Sequence, residues 1–184
     1  MRVIAGTARR TQLRTPDGLE TRPTTDRTKE TLFNVLSPYV ADAQFLDLFS
    51  GSGAIGIEAL SRGAKAAVFS ETNKNALECI RSNVKATHLE EKARVMNSDA
   101  ISVVRQMESE GKRFDIVFMD PPFNHLHEKE ILLRLDQSNI IDEDTIIVVE
   151  ASNETTFEYL EGTSLAVYKE KQYKTNKHVF IEKR

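Results

Sequence analysis

Phe45-Leu46-Asp47-Leu48-Phe49-Ser50-Gly51-Ser52-Gly53-Ala54-Ile55-Gly56 decides the fold. Residues 45–49 read as a short buried strand, followed by a glycine-rich turn and the start of a helix. Glycine lets the backbone turn sharply and come close to a ligand. In an open α/β sheet that ligand lies at the carboxyl end of the first strand. Ser50, Gly51, Ser52, Gly53, Ala54 and Gly56 are therefore candidate binding residues.

Working outward, Glu71 ends a second strand, 20 residues after Gly51. A carboxylate there suits the two hydroxyl protons of a ribose. A glycine turn followed by an acid also describes nicotinamide-dinucleotide proteins. Asp47 separates the two readings. Dehydrogenase strands run apolar up to the first glycine, whereas here an acid interrupts the strand. Its carboxylate suits the ammonium of a methionine moiety, directly or through water, or else serves as a capped turn acid. Asp99, in Asn97-Ser98-Asp99-Ala100, is placed to accept from an adenine amino group. It also reads as a helix N-cap, and the two roles are compatible. Asp47, Glu71, Asp99 and Ala100 thus extend the candidate site toward S-adenosyl-L-methionine.

The rest of the chain alternates strand and helix. Strands are expected at 45–49, 66–70, 93–96, 114–119 and 145–149, with helices at 54–61, 73–85, 100–108 and 128–135. A further helix runs from about Arg22 to Leu36, with Pro38 ending it. Leu165–Tyr168 and His178–Ile181 read as two strands too closely joined to be parallel. The expected fold is α/β and Rossmann-like: a seven-stranded, mostly parallel sheet with helices on both faces, an antiparallel C-terminal strand and a small N-terminal β arm. One domain is expected over residues 1–184, with an arm at 1–23 and a catalytic core at 24–184.

The 184 residues are 40% hydrophobic and 29% charged, as in one globular domain. No apolar run approaches the roughly 20 residues of a membrane span. The N-terminus lacks the apolar region of a secretory signal. Cys79 is the single cysteine and reads as core, which fits a reducing cytoplasm. A cytoplasmic monomer is expected. The net charge of −3 is unevenly spread. Residues 1–29 and 169–184 each carry +4, which leaves −11 for the middle. Arg2, Arg9, Arg10, Arg14, Arg22, Arg27 and Lys29 are candidate RNA contacts. His125 and His127 sit in a loop without the further ligands a metal site needs, so no metal is assigned. His88 and His178 read as surface residues.

After the fourth strand stand Asp120-Pro121-Pro122-Phe123, the most specific feature of the chain. Two prolines fix the backbone and remove two N–H donors, leaving carbonyls free as acceptors. The exocyclic amine of guanine or adenine is a poor nucleophile because its lone pair is delocalised into the ring. Asp120 and the Pro121 carbonyl can accept both amine protons and localise that pair. Phe123 can stack on the base, worth about 1–3 kcal/mol. Methyl transfer then depends mainly on positioning.

Together these residues resemble the class I S-adenosylmethionine methyltransferases that carry an (Asp/Asn)-Pro-Pro-(aromatic) motif. Met1–Gly6, Thr21–Asn34, Leu46–Gly53 and Ile57–Gly63 resemble the RsmD family in particular, and the likeness spans essentially the whole chain. The resemblance implies methylation of N2 of one guanine in small-subunit ribosomal RNA. It implies cofactor binding by Ser50–Gly56, Glu71 and Asp99, and a catalytic loop at Asp120–Phe123. It places Arg22–Lys29 over the active site and implies a partly assembled 30S particle as substrate. Lys174 departs from the glycine that often follows the C-terminal tyrosine in that family, which puts the geometry of the last turn in question.

Three rival readings remain at this level. A DNA or RNA adenine-N6 methyltransferase shares the chemistry, but DNA enzymes usually add a recognition region for which this chain has little room. A small NAD-dependent oxidoreductase leaves Asp47 and Asp120–Phe123 unexplained. A non-catalytic assembly protein has no need of the intact acid and prolines.

Overall fold

The computed structural model describes residues 1–17, 25–122 and 127–184. Helix α1 spans Asp26–Val40, β1 Gln44–Leu48, α2 Ala54–Ser61 and β2 Ala66–Glu71. They are followed by α3 (Lys74–Ala86), β3 (Ala93–Asn97), α4 (Ala100–Ser109) and β4 (Ile116–Met119). The chain ends with α5 (His127–Asp136), β5 (Ile146–Ser152), β6 (Leu165–Gln172) and β7 (Asn176–Lys183). Among the described residues the strands form one sheet in the order β3-β2-β1-β4-β5-β7-β6. β1 to β5 are parallel, and β7 runs antiparallel to both β5 and β6. The strand order reverses direction between β1 and β4, where an α/β sheet opens a crevice for a ligand.

Strand alternation separates two cores. Phe45, Phe69, Phe118, Val148 and Phe180 belong to one, with Leu32, Phe33 and Leu36 of α1, Ile57 of α2 and Ile80 of α3. Leu46, Leu48, Val117, Met119, Ile147 and Val149 belong to the other, with Val103 and Val104 of α4 and Leu132 and Leu135 of α5. β4 and residues 146–149 of β5, central in the sheet, are apolar toward both layers because helices cover both faces.

Three expectations need correction. Pro38 does not end α1, which continues to Val40; in the last turn a missing N–H removes only one backbone bond. β6 and β7 are eight residues each, longer than the apolar segments that marked them, because their ends are polar. His178 is not a surface residue but fully buried in β7. The turn before β7 closes normally, with the Tyr173 N–H donating to the Asn176 carbonyl at 2.8 Å. Lys174 does not adopt a positive φ, so its departure from glycine costs nothing here.

The N-terminal segment is not a free arm. Met1–Leu13 folds back on itself through a bridge between Arg2 and Gln12. Val3, Ala8 and Leu13 are buried in the first core. The backbone is then clamped to α2. Glu58 accepts the N–H groups of Ile4 and Ala5 at 2.9 and 3.0 Å. Ser61 accepts from Ala8 at 3.0 Å and donates to the Ala5 carbonyl at 2.6 Å. Gly6, at φ +85°, passes so close to Ser61 that a Cβ would lie 1.8 Å from its carbonyl oxygen.

Candidate active site

The glycine turn is held from three sides. Gly51 and Gly53 have φ values of +55° and +77°, where side chains are strained. Phe49, at φ +62°, takes the same left-handed conformation without being glycine. Such strain in an aromatic residue concentrates at functional sites. The buried Asp47 carboxylate accepts the Gly56 N–H at 3.0 Å, which satisfies a donor in the first turn of α2. Burial pushes Asp47 up to about 7, against the pull of that hydrogen bond, with the Glu71 charge adding to the rise. Ser50 donates from its hydroxyl to the Asp47 carbonyl at 2.7 Å. The Asn83 amide of α3 donates to the carbonyls of Ser52 and Arg14, each at 2.9 Å, and so ties the turn to the N-terminal segment.

Glu71 closes the second side. Its carboxylate accepts from Gly51 at 2.9 Å and from Thr72 and Asn73 at 2.8 Å each. A carboxylate offers about four acceptor sites, so holding both hydroxyls of a ribose requires one backbone donor to give way. Asp99 is the N-cap of α4, accepting from the Ser102 N–H at 2.9 Å and its hydroxyl at 2.6 Å. The Ser102 hydroxyl and N–H hold the Asp99 carboxyl below its usual range. Asp99 is exposed, and Ala100 is buried behind it.

The sheet register brings the second motif alongside. Asp47 pairs with Phe118, and Leu48 with Met119, so Asp120 leaves β4 next to the glycine turn. Asp120 is half-buried, Pro121 buried and Pro122 exposed. Burial, then the charges of Glu150 and Asp47, push the Asp120 carboxyl well above the usual carboxylate range. Phe123 and His125 lie outside the described residues, as does Arg22.

The basic candidates divide. Arg2, Arg9, Arg10, Arg14 and Arg27 are exposed. Lys29 is a correction: it is fully buried, and its ammonium sits 3.1 Å from Glu58 while donating to the Arg2 carbonyl at 2.5 Å. Desolvation lowers its pKa although the Glu58 charge opposes that. It holds α1 to α2 and the N-terminal segment, and is closed to RNA.

Sequence reasoning missed Glu58, Asn83, Glu150 and His178. Glu150 had a signal. It follows the apolar run Ile146–Val149 at a strand's carboxyl end, as Glu71 and Asp120 follow theirs. The other three act through partners distant in sequence.

The fold is shared with solved proteins. The Escherichia coli protein yhhF is 36% identical with a TM-score of 0.85, over 100% of this chain and 97% of that one. Glycine turn, acidic strand ends and proline loop on this sheet define an S-adenosylmethionine-dependent methyltransferase. The residues fit that cofactor: an open surface above Gly51, where a Cβ would meet nothing within 4 Å, with the Glu71 carboxylate beside it. The family described as Conserved hypothetical protein 95 matches residues 1–182, and the chain belongs to it. Ribosomal RNA small subunit methyltransferase D of Escherichia coli is 42% identical over 84% of this chain and 76% of its own length. The enzyme of the same name from Haemophilus influenzae is 36% identical, over 84% of this chain and 80% of its own.

Proposed function

We propose that this chain transfers a methyl group from S-adenosyl-L-methionine to the exocyclic N2 amine of a guanine in small-subunit ribosomal RNA. The proposed substrate is a partly assembled 30S particle, met in the cytoplasm by a monomer. One observation carries the reading: the β1–β4 register sets Asp120 and Pro121 beside the glycine turn. Family membership supports the substrate.

When bound, the cofactor supplies an activated methyl group on a sulfonium. The chain's own residues orient the amine. Asp120 and the Pro121 carbonyl accept the two amine protons, and this localises the nitrogen lone pair. Phe123 stacks on the base. Ser50–Gly56, Glu71, Asp99 and Ala100 hold the cofactor, and Asp47 braces the turn from below. After transfer, Asp120 accepts a proton from the methylated nitrogen. Its raised proton affinity suits that task. Arg2, Arg9, Arg10, Arg14, Arg22 and Arg27 meet RNA phosphates.

The test is incubation with methyl-labelled cofactor and 30S particles, naked ribosomal RNA or DNA. Label recovered as N2-methylguanosine from the particles is the expected result. Label in DNA or as N6-methyladenosine overturns the reading.

A further inference from the structure

Three neighbouring strands bring ionisable side chains to one face of the sheet. Met119 pairs with Val149, which makes Asp120 and Glu150 the next residues along β4 and β5. Glu150 in turn pairs with His178 across the antiparallel β5–β7 ladder. Glu150 is 7% exposed and His178 fully buried. The carboxylate is clamped at both oxygens: the Asn176 amide donates to Oε1 at 2.5 Å, and His178 Nε2 lies 3.3 Å from Oε2. His178 Nδ1 is 3.1 Å from the Tyr173 hydroxyl. The two ring nitrogens thus face a carboxylate on one side and a hydroxyl on the other. The rings of Phe118 and Tyr173 meet the imidazole edge-on, at centroid distances of 6.3 and 5.1 Å.

Nothing in the chemistry above uses this cluster. A buried acid with fixed partners is poor value for stability alone, since apolar residues of similar volume commonly serve as well. We propose that Glu150, held by His178 and Asn176, is a positioning residue for methyl transfer: it keeps a negative charge beside Asp120, so that Asp120 takes the proton released by the methylated amine. This rests on the reading of Asp120 as the residue that faces the amine. In the step, the C–N bond forms as the C–S bond breaks, and sulfur keeps the electron pair. An N–H bond of the resulting ammonium then breaks, and its proton joins an Asp120 carboxylate oxygen before passing to water.

Other charges face the same region. Asp47 approaches from β1 and acts in the same sense as Glu150. Tyr173 stands behind His178, and burial, with a lesser push from the Glu150 charge, raises its hydroxyl to about 12. Glu128, Lys129 and Glu154 line a cavity of about 380 Å³ that Glu150 shares with Pro121. The Glu150 carboxylate is distinguished from these by its fixed geometry.

The experiment is single-turnover methylation of unmethylated 30S particles between about pH 5 and pH 9. The wild-type rate should rise with pH along one limb. Asp120→Asn should remove the limb. Glu150→Gln should move it down by roughly one pH unit and lower the plateau several-fold, with cofactor affinity unchanged. His178→Gln, which loosens the clamp, should do the same to a smaller extent. Carbon-13 titration of the Asp120 carboxyl in wild type and Glu150→Gln reads the same shift without turnover. The proposal is overturned if Asp120→Asn abolishes the limb while Glu150→Gln leaves limb, plateau and titration unchanged. If Asp120→Asn itself leaves the limb intact, the reading of Asp120 fails, and the proposal with it.

Discussion

Gly51 of the turn and Gly56 of α2 are needed for different reasons, and substitution should separate them. A Cβ on Gly56 would lie 2.4 Å from the Phe69 ring and 3.2 Å from the Asp47 carboxylate. Both neighbours are buried, so neither can move aside. Gly56→Ala should destabilise the chain by about 1–3 kcal/mol through overpacking and weaken S-adenosylhomocysteine binding at least tenfold. A Cβ on Gly51 meets nothing, so Gly51→Ala should cost only the left-handed strain, about 1–2 kcal/mol. Urea unfolding and calorimetric titration of each variant measure both effects, and equal losses would refute the distinction. Glu58 makes a further case. It is buried, with the Lys29 ammonium at 3.1 Å and the Arg62 guanidinium at 2.8 Å. Glu58→Ala strands a buried cation and should cost about 3–5 kcal/mol, read from the urea midpoint. A loss below 1 kcal/mol would mean that Lys29 finds water instead.

At the scale of elements, the N-terminal segment is at once core and surface. Val3, Ala8 and Leu13 are buried and the Ile4, Ala5 and Ala8 amides are bound to α2, while Arg9, Arg10 and Arg14 remain exposed. Asn83 spans Arg14 and Ser52, so Arg14 is carried beside the glycine turn. Arg9→Ala combined with Arg10→Ala should weaken RNA binding and flatten the slope of log K against log salt by roughly one to two. Unchanged filter-binding curves at low salt would remove the segment from the interface. The elements themselves were legible because apolar period and turn residues act locally. Residues 54–61 form α2 as expected, and the five parallel strands fall where apolar runs lie. The glycine turn and the Asp-Pro-Pro loop were legible for the same reason. The clamps were not. Glu58 looked like one residue of a family signature and Lys29 like one more basic side chain. Only the tertiary fold brings together positions 2, 29 and 58. His178 was misplaced because the partners that bury it, Glu150 of β5 and the Phe118 ring of β4, are brought to it only by the assembled sheet.

For the whole molecule, acids of opposite tendency shape stability against pH. Asp99 and Glu110 are held below their usual range by Ser102 and Arg94, so their contribution is lost only as the solution becomes strongly acidic. Asp47 and Asp120 are raised, mainly by burial. For a raised carboxyl the folded state binds its proton more tightly than the unfolded chain does. The stability this provides is complete below about pH 4 and is lost as pH climbs through the folded value, which for Asp47 is about 7. The free protein should therefore weaken between about pH 4 and pH 7, with Asp47 alone accounting for something on the order of 4 kcal/mol. Asp47→Asn should flatten that slope while leaving the Asp120 part. A ligand bearing an ammonium beside the turn favours the ionised carboxylate, so stabilisation by S-adenosylhomocysteine should grow with pH through about 7 in the wild type and stay level in Asp47→Asn. Urea unfolding with and without ligand across this range decides it. Parallel curves for the two proteins would show that Asp47 keeps one protonation state throughout and braces the turn without sensing the ligand's charge.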